Sequence, residues 1–404
     1  MKRFTREPST PTGHIKRILT NGASIGISLL VALLLSAVPL SVQAATGGSI
    51  LSGWPVRDGQ SGTQKATASA VDSSGNIYIT GYQNLPNGEA DNFYTIKLNP
   101  DGTPNTGWGQ QTFDLAGFDD RALAIVVDGS GDVYVTGYAT KADQGKCLYT
   151  IKYQGSDGTK LWENSYTPVG GNLLTFPISL ALDGANLYVA ANSRISATDD
   201  NILILKFNAN GSTPNTPTVL VYDYLNLGRQ DAAVSIAARG GKVAVTGFTY
   251  NGTTNDMLTL LFDSGLSLQH AWQQSSLGGN ASGKIVRIDS AGNIIVSGYD
   301  TLTQGIDIYT AKLHGSTPYD LLWNKRFQGQ YDDEPTAMAV DSFNDVYITG
   351  TFSSIPSYTD FYTARYAASN GDTVWEAIYN SGSNVDVPTG IAVDESGEIG
   401  RAHV

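Results

Sequence analysis

The sequence predicts an all-β protein, a β-propeller of four-stranded blades, and three observations lead there: the glycine and charge content, one internal repeat, and the place of every tryptophan within it. Of 404 residues, 45 are glycine and 15% are charged, against about 7% glycine and about 25% charge in an ordinary soluble domain. That composition favours short strands and tight turns. An apolar content of 41% suffices for a large core.

The repeat is read first because it organises everything else. Residues 70–81 run Ala-Val-Asp-Ser-Ser-Gly-Asn-Ile-Tyr-Ile-Thr-Gly, and the pattern returns at 127–137, 182–190, 238–247, 288–298 and 340–350, with a fragment at 393–397. Its turn aspartates are Asp72, Asp128, Asp183, Asp289, Asp341 and Asp394; the four directly successive pairs lie 56, 55, 52 and 53 residues apart, and Arg239 fills the remaining place.

Each unit holds four runs of alternating or β-branched residues, the mark of strands. In the second unit these are Leu123–Asp128, Asp132–Gly137, Leu148–Tyr153 and Lys160–Ser165, here termed A, B, C and D. The A–B connection is a hairpin: its glycine supplies positive φ and its Asp and Asn side chains bond the turn backbone. The C strand recurs at 93–98, 148–153, 202–207, 257–262, 308–313 and 361–366, with a cation in its fifth place except at Leu261. Trp108, Trp162, Trp272, Trp323 and Trp375 fall on D strands, while the third unit has Val219-Leu-Val-Tyr222 there. Trp54 precedes the first A strand by the usual interval, so residues around it are expected to be a D strand that closes a seventh blade begun at 393–397.

Runs of Ala-Val-Asp-x-x-Gly-Asn-Val-Tyr-Val-Thr-Gly followed by an aromatic-rich C strand ending in Lys-Tyr are similar to the repeats of a bacterial family of secreted, seven-bladed β-propellers. The resemblance spans roughly residues 50–397. It implies the scaffold and an exported location, and no common reaction. The fourth unit departs from it at Arg239 and Leu261, and the third lacks the tryptophan.

The ends read differently. Residues 1–44 combine a basic leader, an apolar run from Ile25 to Leu40 and Val42-Gln43-Ala44, the plan of a secretory signal cleaved near Ala44. The mature chain is then expected in the periplasm, at the cell surface or outside the cell. Residues 45–397 are the propeller, and 398–404 break the period abruptly enough to be expected as a non-native tail at a truncated seventh unit.

Charge and cysteine usage exclude several functions. Residues 1–44 hold five of the 25 basic and one of the 37 acidic side chains, so their removal takes the net charge from −12 to −16, and nucleic acid is excluded as a partner. No later apolar run reaches the ~18 residues of a membrane helix, and the single Cys147 permits neither a disulfide framework nor a thiolate metal site. A monomeric ring without cofactor or metal is expected. His270 and His314 lack partners at metal-ligand spacing, and Cys147 occupies a place taken elsewhere by Asn92, Asn201, Asp256, Asp307 and Asp360. The turn aspartates lack the alternating oxygens and distal acid of a calcium loop.

The sequence favours a non-enzymatic binding or scaffolding module over an enzyme, whether quinoprotein-like oxidoreductase or carbohydrate-active. Gly158-x-x-x-Trp162 and Gly371-x-x-x-Trp375 resemble quinoprotein blade signatures, but one cysteine cannot make the vicinal disulfide of that class. Meander topology puts the B–C and D–A loops on one face of the ring. Variable loops on a rigid scaffold are where ligands bind, and the D–A loops supply Asp119, Asp120, Asp231, Asp332, Asp333, Glu334 and Asp386. These are the candidate ligand-binding residues for an unidentified protein, peptide or glycan.

Overall fold

In the computed structural model the described residues are 63–403, apart from 85–89, 143–144, 169–172, 197–198, 213–214, 277–278, 302–304, 330, 356–357, 381–384, 395–396 and 398. They form six four-stranded antiparallel sheets and one two-stranded sheet, each a meander in chain order. Blade 1 is β1 (Thr63–Val71), β2 (Ile77–Asn84), β3 (Asn92–Leu98) and β4 (Gln110–Phe113); blade 2 is β5 (Arg121–Val127), β6 (Val133–Lys141), β7 (Gly145–Tyr153) and β8 (Lys160–Tyr166). Blade 3 is β9 (Leu173–Asp183), β10 (Asn186–Ser196), β11 (Asp199–Asn208) and β12 (Thr218–Tyr222); blade 4 is β13 (Asp231–Arg239), β14 (Lys242–Tyr250), β15 (Asn255–Asp263) and β16 (Leu268–Gln274). Blade 5 is β17 (Ala281–Ile288), β18 (Ile294–Thr301), β19 (Ile306–Leu313) and β20 (Leu321–Phe327); blade 6 is β21 (Pro335–Val340), β22 (Val346–Ile355), β23 (Tyr358–Tyr366) and β24 (Thr373–Tyr379). The last sheet pairs β25 (Pro388–Val393) with β26 (Ile399–His403). The fold is a β-propeller.

The tail expected to be foreign thus supplies a strand, β26, in the place a B strand takes elsewhere. The signal segment and the closing strand expected around Trp54 lie outside the described residues. In blade 2 the B and C strands run further than their apolar cores, to Lys141 and back to Gly145, because the hairpin ladder continues through polar residues down to Lys141↔Gly145.

Each core spans two consecutive blades. Tyr78 and Trp108 of blade 1 cluster with Val133, Ile151 and Tyr153 of blade 2; Tyr134 and Trp162 of blade 2 with Leu187, Leu203 and Phe207 of blade 3; Trp323 of blade 5 with Val346, Ile348 and Tyr362 of blade 6. Burial between neighbours is what a repeat unit needs, since one sheet alone cannot cover both its faces.

The Thr-Gly that ends the repeat motif has two jobs. Thr136 Oγ1 meets Thr150 Oγ1 of the C strand at 3.0 Å, and equivalent pairs join Thr80 to Thr95, Thr246 to Thr259 and Thr349 to Thr363. Gly137 lies opposite a bulge in the A strand between Ala122 and Ala124, where a Cβ would overlap the carbonyl oxygen of Arg121. Blade 3 carries Ala191 instead, and its A strand slips further, from Ser179 to Thr175. There Asn192 grips the A strand of blade 4, its Oδ1 accepting from Ala233 N at 2.8 Å and its Nδ2 donating to Ala233 O at 3.2 Å.

Candidate functional site

On the A–B turn face, the recurring polar residues bond one another. Asp128 Oδ1 accepts from the N–H groups of Ser130 and Asp132 at 2.9 Å, and its Oδ2 accepts from Tyr134 Oη at 2.9 Å. Lys152, the C-strand cation, lies 2.9 Å from Asp132 and donates to Ala209 O of blade 3 at 3.1 Å. Trp162 Nε1 donates to the same carbonyl at 3.4 Å. Blade 5 repeats the scheme: Lys312 lies 2.9 Å from Asp289, and Lys312 Nζ and Trp323 Nε1 both donate to Ala368 O at 3.1 Å. The turn aspartates of blades 2, 5 and 6 therefore cap turns and face a cation of their own chain. Among the described residues no group of three His, Cys, Asp or Glu could hold a metal ion.

The single-copy reactive groups are likewise engaged. Cys147 is buried, and burial pushes its thiol above the ordinary value, which works against a thiolate nucleophile. His270 stacks on Tyr319 at 5.0 Å between centroids, and His314 Nδ1 lies 3.1 Å from both the carbonyl oxygen and Oγ of Ser316.

On the opposite face, the structure divides the acids of the D–A loops into two sets. Asp120, Asp231, Asp333 and Asp386 are buried at the start of A strands. Asp120 N donates to Asp91 O of blade 1 at 2.5 Å, while its carboxylate accepts from Leu115 N and, at 2.8 Å, from Thr140 N. Asp333 does the same between blades 5 and 6, donating to Ile306 O at 2.7 Å and accepting from Gly329 N at 2.6 Å and Ser353 N at 2.9 Å. Asp231 accepts from Tyr224 N, and Asp386 N donates to Thr359 O at 2.6 Å. Burial pushes the carboxyls of Asp120, Asp231 and Asp333 up to about 6. Asp120, Asp333 and Asp386 tie their D–A loops to the B–C segments beside them, and Asp231 fastens its own loop.

Asp119 and Asp332 are exposed, each accepting one backbone N–H, from Asp91 at 3.2 Å and Ile306 at 3.0 Å. Glu334 is half-buried, with Lys284 at 3.7 Å.

Beside these exposed acids lie large apolar side chains that the sequence reading did not single out. Phe118, Leu225, Leu227, Tyr331 and Val385 are exposed in D–A loops, and Tyr250 at the end of a B strand. Leu225 is the most exposed of these six, 63% exposed in a 3₁₀ turn (Tyr224–Asn226) and at φ 63°. That left-handed conformation costs a non-glycine residue about 1–2 kcal/mol. Its neighbours hold it: Asp223 accepts from Leu227 N at 3.2 Å, and Tyr224 Oη donates to Gln273 at 3.2 Å. The signal in sequence was the apolar content of Asp223-Tyr-Leu-Asn-Leu-Gly228, a loop that turn chemistry alone would make polar.

No family model matches the sequence, and no curated protein matches it. Among solved structures, Chaetomium thermophilum Sqt1 bound to the N-terminus of the ribosomal protein L10 is similar at 13% identity and a TM-score of 0.46, over 86% of this chain and 95% of that one. A PL25 ulvan lyase is similar at 12% identity and a TM-score of 0.44, over 76% of this chain and 82% of its own. The quinohemoprotein alcohol dehydrogenase ADHIIG from Pseudomonas putida HK5 is similar at 11% identity and a TM-score of 0.46, over 83% of this chain and 69% of its own. The propeller architecture rests on this chain's own sheets.

Proposed function

We propose that this protein is an exported, non-enzymatic propeller of the bacterial secreted repeat family, acting as a binding or scaffolding module through the face of the B–C and D–A loops. One observation carries the reading: Phe118, Leu225, Leu227, Tyr250, Tyr331 and Val385 all present exposed apolar surface on that face. Exposed apolar side chains rimmed by charge mark interaction sites, and a strained, solvent-facing Leu225 is retained only where neighbours enforce it. Asp119, Asp332 and Glu334 supply the acidic rim, while Asp120, Asp231, Asp333 and Asp386 set the shape of the loops beneath. Aliphatic anchors among acids suit a basic peptide or protein segment better than a glycan, whose recognition relies on aromatic faces and hydrogen bonds.

The test is selection of a displayed random-peptide library on the purified chain, in parallel with a glycan array. Enrichment of peptides combining Lys or Arg with Leu, Ile or Phe is expected, with binding lost in Leu225→Asp and Tyr331→Ala variants that keep the parent's circular dichroism. Enrichment on glycans alone, or peptide binding indifferent to both variants, would sink the reading. N-terminal sequencing of the protein from its host checks the export component: a mature chain starting near Ala45 is expected.

A further inference from the structure

We propose that the axial channel, at its mouth on the A–B turn face, holds a small oxyanion on Arg287. This site is on the face opposite the loops discussed above and does not depend on them. Consecutive A strands, β1, β5, β9, β13, β17, β21 and β25, each at one edge of its sheet, contact one another in order. Two residues before the turn aspartate, or before Arg239 in blade 4, they carry Ala70, Val126, Ala181, Ala237, Arg287, Ala339 and Ala392. Small residues belong there because the strands converge. Ala237, for example, packs against Val286 and Ile288 of blade 5. Only blade 5 places a long cation in this ring.

Arg287 is exposed although its chain neighbours Val286 and Ile288 are buried. The protein around it nonetheless lowers its guanidinium pKa through desolvation. Charge on a side chain so surrounded is felt more strongly than on an outer surface. Its one hydrogen bond runs from Nη1 to Val286 O at 2.9 Å, and none of the ion pairs among the described residues includes it. Most of its planar array of five donors is therefore open.

The surrounding charge favours an anion. Between their terminal residues the A strands carry no acid but three cations, Lys65, Lys284 and Arg287, of which Lys284 faces Glu334. The turn acids near this mouth are engaged: Asp289 with Lys312 and Asn293, Asp341 with Tyr347 and its own turn, and Asp183 with Gly241 N at 2.6 Å. In blade 4 the turn acid is replaced by an exposed Arg239, and Lys242 Nζ donates to Gly292 O of blade 5 at 3.0 Å. A guanidinium recognises sulfate, phosphate or carboxylate through paired N–H donors.

The experiment titrates sodium sulfate, sodium phosphate and sodium acetate into the full chain by calorimetry, with ionic strength held constant by sodium chloride. Saturable binding near one equivalent is expected for at least one of the three ions, and which one binds identifies the oxyanion. Arg287→Ala restores the residue that five other A strands carry, so the fold is kept, and affinity should drop by about tenfold or more. Arg287→Lys, which keeps charge without the planar donor array, should be intermediate. Lys160→Ala, which removes a surface cation from the outer strand of blade 2, should bind as the parent does. Absence of saturable binding to all three ions, or an Arg287→Ala variant that binds as tightly as the parent, would overturn the proposal.

Discussion

Replacing Asp120 by Asn isolates the energetic role of a buried inter-blade carboxylate. Asp120 is fully buried, and desolvation pushes its carboxyl up to about 6, against about 3.9 for an unfolded aspartate. Between those values the folded chain holds more protons than the unfolded one. The group's stabilisation is therefore complete below about pH 4 and is lost as pH rises through 6. A difference of about two pKa units corresponds to on the order of 3 kcal/mol, of which about 2 kcal/mol falls between pH 4.5 and 7.5. Asparagine removes the titration. It also sets an amide donor against Leu115 N or Thr140 N, at a cost of about 1–3 kcal/mol that is common to both pH values. Carboxyls held below their ordinary range pull the opposite way, as at Asp200 through Arg194, and at Asp289, where the Lys312 and Asn293 bonds outweigh burial; they are present in both proteins and cancel. The assay is urea unfolding of parent and Asp120→Asn at pH 4.5 and 7.5, followed by tryptophan fluorescence. The variant should show a fall in stability between the two pH values smaller than the parent's by about 2 kcal/mol. An identical pH dependence in the two proteins would refute the argument.

Two other outcomes follow from contacts within single blades. Gly137→Ala puts a Cβ against the carbonyl of Arg121 at an A-strand bulge, so its melting temperature should fall well below that of Gly129→Ala, where a Cβ meets nothing within 4 Å; equal melting temperatures would contradict the bulge packing. Lys312→Met strips the cation from Asp289, whose side chain is fully buried, and breaking such a pair typically costs about 3–5 kcal/mol, measurable by urea unfolding at pH 7.

Much of the fold was legible because its determinants act over short or strictly periodic distances. Asp128, Gly131 and Asp132 make one turn. Thr136 meets Thr150 across one hairpin, and Trp162 reaches a carbonyl exactly one blade along, so each role recurs with the unit and shows as a repeat in the sequence. The functional face was legible only as a set of loops. Asp119 and Asp120 are adjacent and chemically identical, yet one is exposed and the other is a buried tie between two blades. The difference depends on where Thr140 and Asp91 lie, and neither is near in sequence.

The sequence by itself therefore determined the strand order, the A–B turns with their glycines and the recurring C-strand cation, since those follow from local backbone chemistry repeated at a fixed interval. Tertiary structure alone decided which acids lose their water, that Leu225 and Tyr331 turn outward onto one face, and that Arg287 stands in a ring of alanines. Burial and axial position are properties of converging blades, set by residues brought together from distant parts of the chain.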